Sequence, residues 1–158
     1  MNSNLALALA FGIGVIAGLR SMTAPAVVSW AAHLKWLNLD GSRLALMGST
    51  TAVAIFTVAA IGELVADKTS LIGKRTAPGP LIGRIVLGGL SGATICAAAG
   101  QSSLLGAVLG GIGGIVGAFV GYQGRMGLVR KLRVADAVIA VPEDLVAIIL
   151  GLFLVSRL

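Results

Sequence analysis

Long apolar stretches alternate with short charged ones along the chain, and together they predict about five transmembrane helices. A helix needs about 20 apolar residues to cross a hydrocarbon core of about 30 Å. The apolar stretches cover residues 5–32, 44–66, 85–124 and 137–156, and the third is long enough for two helices. Gly100 and the polar residues after it predict the turn between those two. The pattern is therefore typical of an all-α membrane protein.

Two of these spans, the first and the last, contain a proline close to charged residues. Arg20 lies in the middle of the first span, within GLRSMTAPA, and one straight helix over that span would be about 42 Å long. Pro25 cannot donate a backbone amide to the preceding turn, so we expect a break or kink near Arg20. In the last span, Pro142 predicts a second interruption. If Pro142 begins a helix, Glu143 and Asp144 fall in its first turn, where the helix dipole favours negative charge.

Four more charged residues are predicted at the inner ends of the other spans. Glu63 and Asp67 lie one helical turn apart at the end of the second span. Arg84 follows the helix start that APGPLIG predicts, and Arg125 ends the fourth span. An arginine in a first helical turn opposes the helix dipole, which predicts that Glu63 or Asp67 is the partner of Arg84.

Arg20 is expected to stand apart as the deepest charge, and the sequence leaves its role open. Ionisable residues at membrane depth are either structural pairs or functional sites. Arg20 either pairs with an acidic residue of the last span and locks the bundle, or attracts an anion with help from the hydroxyls of Ser21 and Thr23. The candidate residues for binding a solute or ion are Arg20, Ser21, Thr23, Glu63, Asp67, Arg84, Arg125, Glu143 and Asp144.

Composition supports a single integral-membrane domain over residues 1–158, because 57% of the residues are hydrophobic and 11% are charged. The net charge of +6 does not indicate nucleic-acid binding, since the basic residues flank apolar stretches. Eight Lys and Arg residues lie in or beside the loops after the second and fourth spans, against three on the other side. The positive-inside rule then predicts a bacterial inner-membrane protein with a cytoplasmic N-terminus and an external C-terminus.

Glycine recurs every fourth residue in the fourth span, which favours close packing of helices, within one chain or between copies, over a pore-lining face. We expect a homo-oligomer. The two series are Gly106, Gly110 and Gly114, and Gly113, Gly117 and Gly121. Residues 12–26 can also be aligned with residues 83–97. Six identical positions suggest an internal duplication of the kind that many transporters contain.

Motifs for covalent chemistry are missing from the sequence. It has no HExxH or GxSxG sequence, and a single Cys96 excludes an intrachain disulfide and a cysteine-cluster metal site. We therefore expect no enzyme, no metal site and no cofactor. The pattern favours a transporter or channel for a small solute or ion, with an anion favoured. The alternative is a structural or accessory protein whose charges hold the bundle and whose basic loops bind membrane lipid or a protein partner.

Four segments carry a family resemblance: GLRSMTAPA, GELVADK, RTAPGPLIGR and VPEDLVA. They resemble a bacterial integral-membrane family catalogued as domain of unknown function 4126. The resemblance covers nearly the whole chain and implies a small inner-membrane protein with several spans. It implies no activity, substrate or site.

Overall fold

The computed structural model describes residues 2–66, 77–132 and 136–157, and these residues fold as helices without strands. The all-α prediction is therefore confirmed for the part of the chain that is described. A 3-10 helix, Arg43–Gly48, precedes the third α-helix. The α-helices are α1 (Ser3–Leu19), α2 (Thr23–His33), α3 (Thr50–Ala66), α4 (Pro78–Ala98), α5 (Ser103–Leu132) and α6 (Asp136–Val155).

Helix length and composition indicate a membrane protein. Among the described residues, α4, α5 and α6 are long and apolar enough to cross a membrane. The helices α1 and α3 are also apolar, but each has 17 residues, which is shorter than the about 20 that a perpendicular crossing needs. The exact number of five spans therefore stays a prediction.

The boundaries of α4 follow from local sequence. Pro78 stands at the helix start, where a missing N–H costs no intrahelical bond, as APGPLIG predicts. At the other end Gly100 has a φ of 66°. The Gly100 amide donates to the Ala97 carbonyl at 3.0 Å and the Gln101 amide to the Cys96 carbonyl at 2.8 Å. These bonds form a Schellman motif, and the predicted turn at Gly100 is confirmed.

The first apolar stretch forms two separate helices. α1 ends at Leu19, and Arg20 has an extended backbone with φ −139° and ψ 108°. The Arg20 amide still donates to the Ile16 carbonyl at 2.8 Å, so helical bonding stops at that residue. α2 begins at Thr23. Pro25 lies in the first turn of α2, where the N–H that it lacks would have had no intrahelical partner.

The chain reverses direction between α1 and α2. Arg20 pairs with Asp144 of α6. Further along α6, a β-carbon on Gly151 would lie 3.4 Å from Val27 of α2 and 3.8 Å from Ile16 of α1. Residues on both sides of Arg20 therefore lie at the same level of α6. The two helices are antiparallel, and their junction at residues 20–22 is called the helix break below.

Each later helix also reverses, and this changes the expected topology. Trp30 contacts Thr57 and Ser21 contacts Glu63, so α2 and α3 are antiparallel. A β-carbon on Gly12 would lie 3.2 Å from Leu154, near the far end of α6. The start of α1 and the end of α6 consequently lie at the same end of the bundle. The prediction of opposite sides does not fit this arrangement, because residues 5–32 are two antiparallel helices instead of one span.

Pro142 lies inside α6, so the prediction that it begins a helix is wrong. Glu143 and Asp144 accordingly lie in the middle of α6 and not in a first turn. Proline can stay inside a membrane helix because neighbouring groups satisfy the backbone carbonyl that it leaves without a donor. A bend of α6 at Pro142 remains a prediction.

The glycines of α5 lie against the backbones of α1 and α4. A β-carbon on Gly110 would collide with the Gly88 carbonyl of α4, and one on Gly117 would collide with the Val15 carbonyl of α1. A β-carbon on Gly14 of α1 would in turn collide with Gly110. These three helices are called the glycine core. Because its glycine faces are occupied within the chain, an oligomer would need another surface.

The two segments aligned as a possible duplication differ in structure. Residues 12–26 contain the helix break, whereas residues 83–97 lie inside the continuous helix α4. The alignment therefore pairs an interrupted segment with an uninterrupted one and does not support a shared fold over this stretch.

Candidate functional site

Arg20 is one of the most deeply buried side chains, with 1% of its surface exposed. Its guanidinium forms an ion pair with the carboxylate of Asp144 in α6, which is 7% exposed. Removing two charges from water is costly, and mutual attraction offsets that cost only when the geometry is close. Arg20 therefore pairs with one of the two acidic residues that the sequence proposed for it.

Glu63 of α3 binds the backbone of the helix break. Its Oε1 accepts hydrogen bonds from the Ser21 amide at 2.9 Å and from the Ser21 hydroxyl at 2.5 Å. Its Oε2 accepts one from the Met22 amide at 2.8 Å. Amides at the start of a helix lack intrahelical acceptors, and the helix dipole favours a negative charge beside them. Glu63 thus caps α2 from a neighbouring helix.

Arg84 of α4 binds the end of α1, on the side of the break opposite to α2. It is 4% exposed and donates a hydrogen bond to the carbonyl of Gly18, in the last turn of α1. Carbonyls at a helix C-terminus lack intrahelical donors, and a cation is favourable there. The prediction that Arg84 lies in a first turn is wrong, because α4 begins at Pro78. Its proposed partner Glu63 binds the break instead, and Asp67 lies outside the described residues.

Three charged side chains from three helices therefore meet at one break. Glu63 caps the start of α2, Arg84 caps the end of α1, and Asp144 neutralises Arg20 between them. The expectation that Arg20 stands apart from the other charges is wrong. α1 ends after 17 residues, at the break where Glu63 and Arg84 bind, so Arg20 lies beside these charges.

A second ion pair, between Arg125 of α5 and Glu143 of α6, lies next to the charges at the break. Arg125 Nη1 lies 3.5 Å from Glu143 Oε2, and the two side chains are 10% and 13% exposed. A β-carbon on Gly121 would lie 3.6 Å from Glu143 Oε1 and would collide with the Leu19 side chain at the end of α1, so this part of α5 lies beside both Glu143 and the break. Thr23, the first residue of α2, is buried at the break. The structure thus brings together all the predicted site residues that it describes.

Two backbone groups in this site have no counterpart among the predicted residues: the Gly18 carbonyl and the Met22 amide. A usable signal existed, because every helix break leaves unpaired carbonyls before it and unpaired amides after it. No group of three His, Cys, Asp or Glu residues that could hold a metal ion occurs within residues 2–66, 77–132 and 136–157.

A helical bundle with apolar helices of membrane length, and with buried charges gathered at a helix break, is a small integral-membrane protein. A model of the family described as domain of unknown function DUF4126 matches residues 7–156. The chain belongs to this family, and the resemblance seen in the sequence is confirmed. No curated protein and no solved structure matches the chain.

Proposed function

We propose that this protein moves a small solute or ion, with an anion favoured, across the bacterial inner membrane. The observation that carries the proposal is the convergence of Glu63, Arg84 and Asp144 on the break between α1 and α2. In secondary transporters, the substrate and the coupling ion commonly bind at the ends of interrupted helices. Buried ionisable residues in membrane helices also favour a solute or proton pathway.

Each group has a definite role in this proposal. Arg20 and Arg84 supply positive charge for the anion, and Ser21 and Thr23 supply hydroxyl donors. Arg125 extends the basic surface outward as a vestibule. The carboxylates balance these charges and carry coupling protons; they are Glu63, Asp67, Glu143 and Asp144. Solute passes without a covalent step, so the proposed activity is not enzymatic.

The proposed orientation places the helix break near the cytoplasm. The segments 67–76 and 133–135 lie outside the described residues, but both follow helices that end on the side of the break. They and the end of α5 are rich in Lys and Arg, which the positive-inside rule assigns to the cytoplasm. Both ends of the chain are then external. The half-exposed Trp30 and Trp36 fit the outer interface, where tryptophan is enriched.

Reconstitution in liposomes tests the proposal. Purified protein should accelerate uptake of small anions, and Arg20→Gln combined with Asp144→Asn should abolish the uptake while keeping the pair electrically neutral. Lys35→Gln is the matched control, because Lys35 is 80% exposed at the opposite end. If the wild-type protein moves no small anion or cation, the transport proposal fails.

A second function is favoured by the burial of Arg20 and its pairing with Asp144. In this alternative the charges only hold the bundle together, and the protein is a structural or accessory component that binds anionic lipid or a protein partner, with a homo-oligomer formed through outward-facing surfaces. Exchanging the two charges, as Arg20→Asp with Asp144→Arg, separates the functions. Recovery of both the fold and the cellular phenotype would support the structural role, whereas recovery of the fold alone would support transport.

A further inference from the structure

The helix α3 lies at the edge of the bundle. Along Thr50–Ala66 only Val53 is buried, and its apolar side chains Ile55, Val58 and Ile61 are each more than half exposed. Among the described residues, α3 packs mainly against α2. Few side chains therefore fix its position.

Within the described part of the chain, polar contacts join α3 to α2 and to the helix break at two places. Towards the start of α3, the Trp30 indole N–H donates to the Thr57 hydroxyl at 3.0 Å, in an exposed position. At its end, the Glu63 carboxylate accepts three hydrogen bonds from Ser21 and Met22 in a partly buried position. Hydrogen bonds to a charged group are about twice as strong as neutral ones, so Glu63 provides the firmer attachment.

The bilayer makes these contacts decisive. Lipid tails are as apolar as leucine, so no hydrophobic force drives one membrane helix onto another. The apolar faces of α3 remain in a similar environment whether they touch α2 or lipid. The position of α3 then depends on van der Waals contact and on the polar groups that it shares with the helix break.

We infer that Glu63 is a latch that holds α3 against the helix break, and that removing its negative charge lets α3 leave α2 and opens lateral access to the Arg20–Asp144 pair. The start of α2 loses its acceptor when the latch opens, while Arg84 keeps the end of α1 capped. Movement is therefore confined to α3 and the first turn of α2. The inference goes beyond the proposed function, because it concerns which helix moves and does not depend on a cargo.

Distance measurement in lipid nanodiscs tests the latch. Spin labels at Val58→Cys in α3 and Val120→Cys in α5 occupy well exposed positions, and the native Cys96 is buried. In this labelled protein, Glu63→Gln should raise the ratio of a longer-distance population to the native one by at least about tenfold. Hydrogen exchange at the Ser21 and Met22 amides should accelerate in parallel, with α4 and α5 unchanged.

Two further variants make the result decisive. Asp40→Asn removes an exposed carboxylate and should change neither readout. Ser21→Ala deletes only the hydroxyl bond to Glu63 and should give a smaller shift in the same direction. The latch is overturned if Glu63→Gln and Ser21→Ala both keep the native distances. It is equally overturned if both variants accelerate exchange throughout α4 and α5, since Glu63 would then support the whole bundle. No solute is present, so either failure leaves the transport proposal standing.

Discussion

The glycine core and the helix break hold the same helix, α1, by opposite means. Along the core, backbones touch because residues such as Gly14 and Gly110 have no side chain, and van der Waals contact stabilises the packing. At the break, backbone groups are separated from each other and bind the side chains of Glu63 and Arg84. The core thus depends on shape and the break on charge. A region built on charge can change state when one charge changes, whereas closely packed backbones cannot adjust gradually.

Asp144→Ala should cause the largest loss in the free energy of unfolding, because it removes the carboxylate that pairs with the buried Arg20 guanidinium. Breaking a buried pair from one side costs about 3–5 kcal/mol. The measurement is the free energy of unfolding in detergent, obtained by titration with a denaturing detergent. Arg20→Met with Asp144→Leu should recover most of the loss, because it removes both charges and keeps apolar volume. A double variant less stable than Asp144→Ala would contradict a break organised by charge.

Gly110→Ala tests the glycine core and should cause the second largest loss of stability. Its added methyl group would meet the backbone of α4 at Gly88, and forcing atoms into a packed interior costs about 1–3 kcal/mol or more. Thermal denaturation followed by circular dichroism should show a lower midpoint. Gly127→Ala is the matched control within α5, since a β-carbon there has open space. Equal stability of the two variants would show that the core tolerates separation of its helices.

Local features of both regions could be predicted from the sequence. The turn at Gly100 and the start of α4 at Pro78 follow from backbone rules that act within a few residues. The sequence indicates Glu143 or Asp144 as the acidic partner of Arg20, because few carboxylates occur in the apolar stretches. The close packing of the α5 glycines likewise follows from their spacing, although the spacing does not tell whether the neighbour is the same chain or another copy.

The directions of the helices and the partners of the backbone groups at the break could not be predicted from the sequence in the same way. Hydropathy measures the length of an apolar stretch but not a reversal within it, so residues 5–32 appeared as one span. The role of Glu63 was missed because its partners at Ser21 and Met22 are mainly backbone amides, which no residue pattern displays. The position of Pro142 inside α6 cannot be predicted from local sequence, because the carbonyl that proline leaves without a donor must be satisfied by tertiary neighbours.

Arg125→Gln should cause the smallest loss in the free energy of unfolding. It tests how far the stabilisation by charge extends from the helix break. Arg125 and Glu143 are 3.5 Å apart and retain 10% and 13% exposure, so their attraction is weaker than that of the Arg20–Asp144 pair and is partly screened. Exposed pairs contribute about 0–1 kcal/mol, and breaking a fully buried pair from one side costs about 3–5 kcal/mol. For this partly buried pair we expect a loss of about 1–2 kcal/mol in the same detergent titration. Lys131→Gln, at an exposed position of α5, should change nothing. A loss for Arg125→Gln as large as that for Asp144→Ala would mean that charge organises α5 and α6 as strongly as it organises the break, and the contrast between the two regions would then be wrong.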